Sequence, residues 1–170
     1  MNTYLSRFDA MADKAAAQVI AQYSTSFSLA VRTLPKPERT HIRNLYAVVR
    51  IADEIVDGTT AQANECPETA LDLYEEQVLH APAHRFHTDP VLHAWARTFR
   101  ECRLNEDHVR AFFASMRADL TQTTFTKQEL DTYIYGSAEV IGLMCLDVFL
   151  RGRDTPHRSE LEDGARALGS

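Results

Sequence analysis

Cysteine is scarce in this 170-residue chain: Cys66, Cys102 and Cys145 lie far apart and form no C-x-x-C pair. Neither a disulfide framework nor a zinc site is expected, and a reducing, cytoplasmic compartment is the default. Basic charge is also short. A formal net charge of −6 argues against a general nucleic-acid binder, which needs a basic face. It leaves anionic substrates open, because local charge decides that. The opening MNTYLSRFDAMADK lacks the apolar region of a signal peptide. No uncharged apolar run reaches about 18 residues, so no spanning helix is expected, while peripheral membrane contact stays open. β-branched alternation is rare, and the six glycines sit mostly near expected element ends. No repeat, low-complexity tract or composition shift marks a boundary, so residues 1–170 read as one domain.

What is present is helical periodicity. Apolar spacing predicts helices over 9–23, 25–33, 37–57, 68–79, 90–102, 106–120, 127–150 and 158–168, with loops at 58–67, 80–89 and 151–157. Start signals support these. Asp89-Pro90 is an N-cap followed by Pro at N1, and Asn105 is a good N-cap. Thr126 to Glu129 and Ser159 to Glu162 fit capping boxes.

The chain is organised around Tyr46 to Gly58, YAVVRIADEIVDG. At about 100° per residue, Tyr46, Arg50, Asp53 and Asp57 share one narrow arc. Leu45, Val48, Val49, Ile51, Ala52, Ile55 and Val56 fill most of the other side. Gly58 reads as the helix stop. Asp57 and Glu54 then sit where the macrodipole is already negative, a cost of roughly 0.3–1 kcal/mol each that a nearby cation would reverse. Two carboxylates at i and i+4 offer hard oxygen ligands, which suits Mg²⁺ bridging to a diphosphate. Arg50 and Tyr46 could hold the same phosphate oxygens. The bland alternative is a solvated face with a weak Arg50–Asp53 pair.

Other segments carry weaker signals. In YSTSF, residues 23–27, three hydroxyls precede a helix; they either cap it or receive phosphate oxygens. Val109, Phe112, Phe113, Met116 and Leu120 share a face, with Asp119 beside it, read alone as solvated or capping. In YIYGSAEVIGLMCLDVFL, residues 133–150, Ala138 and Gly142 lie one turn apart. Such small residues serve either close helix packing or a smooth wall for an elongated apolar ligand. His80, His84 and His87 cluster, but Pro82 interrupts any helix aligning them, so no metal site is expected there. Trp95 reads as core.

Taken together, YSTSF, Leu34-Pro35, YAVVRIADEIVD (46–57), MRADL (116–120) and YIYGSAEVIGLM (133–144) resemble the squalene/phytoene synthase family in order and spacing, over nearly the whole chain. The wording ADEIVDG and YGSAEVIGLMCL is most similar to the bacterial phytoene synthase branch. The resemblance implies an all-α isoprenoid-synthase helical bundle. It implies head-to-head condensation of two prenyl diphosphates with Mg²⁺ or Mn²⁺: two geranylgeranyl diphosphates giving phytoene through a cyclopropyl diphosphate, without NADPH. Squalene- or dehydrosqualene-type chemistry on farnesyl diphosphate is the alternative. Asp53 and Asp57 match the first metal-binding aspartate motif. Tyr23, Ser24, Thr25, Ser26, Tyr46 and Arg50 match diphosphate contacts. Phe27, Tyr133, Ala138, Ile141 and Gly142 match the prenyl wall. Asp119 matches an acidic position near the reacting ends and joins Asp53 and Asp57 as a candidate catalytic residue. One departure stands out. Family members continue into a second aspartate-rich helix, whereas this sequence stops at Ala165 to Ser170. The expectation is therefore an N-terminal portion of the family domain with little synthase activity of its own, or a non-catalytic helical partner derived from it.

Overall fold

The structure, a computed structural model, describes residues 3–169; the side chains of Thr25 and Ser26 lie outside the described set. Among the described residues ten α-helices follow one another: α1 Tyr4–Tyr23, α2 Thr25–Arg32, α3 Lys36–Val56, α4 Thr59–Gln62, α5 Pro67–His80, α6 Pro90–Cys102, α7 Glu106–Thr121, α8 Lys127–Ile134, α9 Val140–Leu150 and α10 Arg158–Gly169. Among the described residues there is no strand. The all-α expectation holds, and most boundaries fall within a residue or two.

The start signals act as expected at three helices. The Asp89 carboxylate accepts from Leu92 N–H at 2.9 Å, and the Asn105 side chain accepts from Asp107 N–H at 2.9 Å. Thr126 and Glu129 close a full capping box. Three differences have local causes. Helix α1 begins at Tyr4 rather than 9, because Thr3 caps it by accepting from Ser6 N–H. Residues 59–62 form the short α4 inside the expected loop, where Gly58 at φ +118° ends α3 and lets the chain re-enter a helix. Ser159 is inside α10 rather than capping it.

Helix α3 is the hub, packed by α1, α2, α5, α6, α7 and α9. Its inner face supplies Leu45, Val48 and Ala52 to a core that includes Trp95, Phe113, Leu71, Met144, Val140 and Val148. Trp95 is buried, and its indole N–H donates to the Val78 carbonyl at 2.9 Å, so burying it leaves no orphan donor. On the other flank, α1 lies against α3 and α6 through an alanine seam of Ala12, Ala16, Ala47 and Ala94. Small side chains bring these axes close, and a polar strap holds them. Asn44 donates to Asp13 and to the Thr98 hydroxyl, both at 3.1 Å. His93 Nε2 donates to Asp9 at 2.7 Å while its Nδ1 accepts from His87 N–H. Burial holds the His41 imidazole below its ordinary pKa.

The run Lys127–Leu150 is continuous helix, with a π-helical turn at Tyr135–Glu139 joining α8 to α9. At 24 residues it is long and apolar enough by length and composition to cross a membrane, although Asp131, Glu139 and Asp147 leave no uncharged run of the expected length within it. Here one side of it packs in the bundle, with Leu143, Met144 and Val148 buried. The π turn sits where Gly136 crosses α7. A Cβ at Gly136 would lie 2.0 Å from Ser115 Oγ and 2.4 Å from the Ala111 carbonyl, so glycine is required. The Ser115 hydroxyl donates to the Tyr133 carbonyl at 3.2 Å, next to the widened turn.

Candidate functional site

The polar arc of α3 is built as a charge cluster. Arg50 lies 3.8 Å from Asp53 and 3.4 Å from Asp57, and hydrogen-bonds to Glu54. Glu54 also accepts from the Thr59 hydroxyl of α4. Sequence reasoning left Glu54 out of the stripe, although its position at i+4 from Arg50 is a spacing that pairs opposite charges on a helix. Three carboxylates therefore share one guanidinium, and the excess charge is negative.

The hydroxyl segment lies over this arc. The Tyr23 ring covers the Arg50 guanidinium at 4.5 Å, and Phe27 stacks on Tyr46 with centroids 5.0 Å apart. Ser24 caps α2, its hydroxyl oxygen accepting from Phe27 N–H at 3.2 Å. Capping is thus its role in the free protein, and its O–H remains able to donate. The Thr25 and Ser26 side chains lie outside the described residues.

Asp119, at the end of α7, comes in from a second helix. Asp53 is pushed up to about 6: burial is the largest cause, Arg50 opposes it, and Asp57, Asp119 and Glu54 add to it. The Tyr133 phenol is raised by burial and by its hydrogen bond to Asp119. Asp53, Asp57, Asp119 and Tyr133 therefore meet in one region, contributed by α3, α7 and α8.

Beside it runs a groove of about 680 Å³, with Phe27, Tyr46 and Val49 on one side and Ser137, Ala138, Ile141, Gly142, Cys145 and Phe149 on another. Helix α10 forms the third wall through Leu161, Ala165 and Leu168. Glu160 is its one carboxylate, and the remaining surface is almost wholly apolar. Tyr133 is not on this groove; it lines a separate depression with Ala114, Ser115 and Gln128. Ala138 and Gly142 both line the groove and carry a tight helix crossing. A Cβ at Gly142 would meet the Ala165 carbonyl at 2.1 Å, and one at Gly169 would meet the Ala138 carbonyl at 2.3 Å. Close helix packing is therefore one role of these small residues, and the same residues border the groove. Phe149, Leu161 and Leu168 had no sequence signal, since nothing in a periodic pattern says that α10 crosses α9 there.

Among the described residues no group of three or more His, Cys, Asp or Glu side chains is arranged to enclose a metal ion. The donors that converge are carboxylate oxygens, the ligand type hard divalent cations take, and such ions need few protein ligands. Burial and like charges push Asp53 toward its neutral form, a penalty a cation would relieve. By donor chemistry and electrostatics Asp53 and Asp57, with Asp119 near, fit a divalent cation.

The sequence and fold are similar to those of known proteins. A family model described as squalene/phytoene synthase matches residues 20–170. A phytoene synthase of Arthrospira platensis is 35% identical over 132 residues, covering 77% of this chain and 42% of the relative. A 15-cis-phytoene synthase of Synechocystis sp. is 35% identical over 128 residues, covering 75% and 37%. The crystal structure of a dehydrosqualene synthase in complex with ligand superposes with a TM-score of 0.78 at 25% identity, over 97% of this chain and 55% of that one. The chain spans about two-fifths of the length of these curated relatives.

Proposed function

Because this chain belongs to the squalene/phytoene synthase family, we propose that it supplies the first metal-and-diphosphate half of a head-to-head prenyl transferase. The proposed reaction joins two prenyl diphosphates, with two geranylgeranyl diphosphates giving phytoene as the first choice and farnesyl diphosphate as the alternative substrate. One observation carries this reading: an acidic pole with a single guanidinium stands beside an apolar groove of about 680 Å³. That volume lies within the range of roughly 300–1,000 Å³ typical of small-molecule sites.

The residues divide the work by chemistry. Arg50 has a buried Nε with no acceptor, so its fork has donor capacity to offer phosphate oxygens. The Tyr23 ring over it limits where that fork can swing. Asp53 and Asp57, with Asp119, would hold Mg²⁺, which supplies charge neutralisation that makes diphosphate a better leaving group. The groove takes the isoprenoid chain and keeps water from the allylic carbon once the diphosphate departs. The stacked Phe27 and Tyr46 rings border the groove and offer π faces to the cationic carbon that results. Peripheral contact with a membrane, where the lipid chain is handed on, belongs to the same proposal.

The test is binding of a non-reactive geranylgeranyl thiodiphosphate analogue with and without Mg²⁺, followed by calorimetry. Mg²⁺-dependent binding that Asp53→Asn weakens more than tenfold supports the reading. Equal binding by wild type and Asp53→Asn, or binding indifferent to Mg²⁺, refutes it. The farnesyl analogue run in parallel ranks the two chain lengths.

A further inference from the structure

The arc on α3 extends beyond the stripe already described. Arg43 and Arg39, three and seven residues before Tyr46, continue it toward the N-terminus of the helix. From Arg32 to Arg43 the chain carries four cations, Arg32, Lys36, Arg39 and Arg43, and one carboxylate, Glu38, within a protein of net charge −6. Arg39 donates from Nε and Nη2 to the Leu34 carbonyl at 3.2 and 2.8 Å, which holds its guanidinium at the α2–α3 turn. Arg43 is half-buried, and its Nε is fully shielded from solvent with no acceptor.

The charges acting on Arg43 all repel it. Burial lowers its pKa, and Arg39 and Arg32 lower it further. Glu38, five residues before Arg43, is not among the charges acting on it, and its own buried Oε2 has no hydrogen-bond partner among the described residues. Half-buried Arg50 and Arg97 are neutralised, Arg50 by Asp53, Glu54 and Asp57, and Arg97 by Asp9 and Asp13, whereas Arg39, like Arg43, has no carboxylate partner among the described residues. A partly desolvated guanidinium with an unused donor and two like charges beside it is an arrangement that an anion stabilises. The guanidinium fork matches phosphate oxygens in particular.

We infer that Arg32, Arg39 and Arg43 form a binding site for a phosphate-class anion, at the opposite end of the α3 arc from Asp53 and Asp57. The site does not depend on the prenyl-transfer reading, because it requires no divalent cation. Two sources share this chemistry, a free diphosphate and the phosphate headgroup of an anionic lipid.

The purified chain is titrated by calorimetry with inorganic diphosphate in EDTA, and separately sedimented with phosphatidylcholine vesicles containing phosphatidylglycerol. The expected result is saturable binding that Arg43→Gln weakens at least tenfold, that Arg43→Lys partly keeps, and that Arg110→Gln on exposed α7 leaves unchanged. Removing an unpaired charge should leave the Arg43→Gln melting temperature no lower than wild type. If that variant fails to fold, Arg32→Gln on the exposed rim gives the same reading, a several-fold loss. Binding to vesicles but not to free diphosphate, still dependent on Arg43, assigns the headgroup as the source. Binding indifferent to Arg43 and Arg32, binding lost only with Arg50→Gln, or no binding in either arm overturns the site.

Discussion

Replacing Asp53 with Asn should make the metal-free protein more stable while removing the proposed cation site. In the folded chain the Asp53 carboxyl is pushed from 3.8 to about 6, chiefly by burial. A raised carboxyl pKa means the unfolded chain ionises first. Between pH 4 and 6 the unfolded state has released a proton that the folded state still holds. Stability from this group is therefore fully present below about pH 4, falls as pH rises to 6, and stays lower above that. At 1.36 kcal/mol per pH unit the full shift corresponds to about 3 kcal/mol. The side chain is 32% exposed, and solvent screening reduces this to about 1–1.5 kcal/mol. The lost attraction to Arg50, at 3.8 Å, offsets only a few tenths of that. Asp53→Asn should thus melt about 2–5 °C higher than wild type at pH 7.5 in EDTA, with the gap closing at pH 4. Thermal melts by circular dichroism at pH 4, 5.5 and 7.5 measure it. Added Mg²⁺ should raise the wild-type midpoint and not that of the variant. An Asn variant that is less stable by the same amount at every pH would show that the carboxylate is held by its neighbours and not strained by them.

Other expectations rest on packing and on the α9–α10 contact. Gly142→Leu places a side chain where the Ala165 carbonyl lies 2.1 Å from the Cβ position, so α10 must lift. A loss of about 1–3 kcal/mol is expected, with faster hydrogen exchange in residues 158–169 and not in α6; unchanged exchange there would show that the crossing yields without cost. Asp147 is buried and paired with Arg158 at 2.6 Å, while its second oxygen has no partner. Arg158→Ala should cost about 1–2 kcal/mol, less than the 3–5 of a fully buried pair because the arginine is partly exposed, and Asp147→Leu with Arg158→Met should recover most of it in urea unfolding. Phe113→Ala, at a fully buried ring, should cost about 3–5 kcal/mol by the same assay.

Much of the local structure is written in short-range chemistry. Asp89, Asn105 and Thr126 start helices because their side chains satisfy N–H groups two or three residues away, a relation fixed by spacing alone. The Tyr46–Arg50–Asp53–Asp57 arc follows in the same way from the helical step. Glu54 lies at i+4 from Arg50, a spacing that pairs opposite charges on a helix, so its part was legible in the sequence as well. Asp119 read alone looked like an ordinary solvated residue; its tie to Tyr133 and Asp53 needs α7 and α8 to arrive beside α3. Tyr133, grouped with the prenyl wall by resemblance, lies off the groove because the π-helical turn after it rotates the following residues relative to α8.

Periodicity and capping thus determined where the helices run, which residues face inward, and that one helix presents acid and guanidinium on a common line. They could do so because those relations extend over a few residues along a single chain axis. Tertiary structure alone decided that α10 closes the groove over Ala138 and Gly142, that Asp119 and Tyr133 arrive beside Asp53, and that Arg43 is half-buried with Arg32 of α2 acting on it. Those facts depend on how separate helices cross, and crossing is settled by side-chain shape between segments distant in sequence, which no local pattern records.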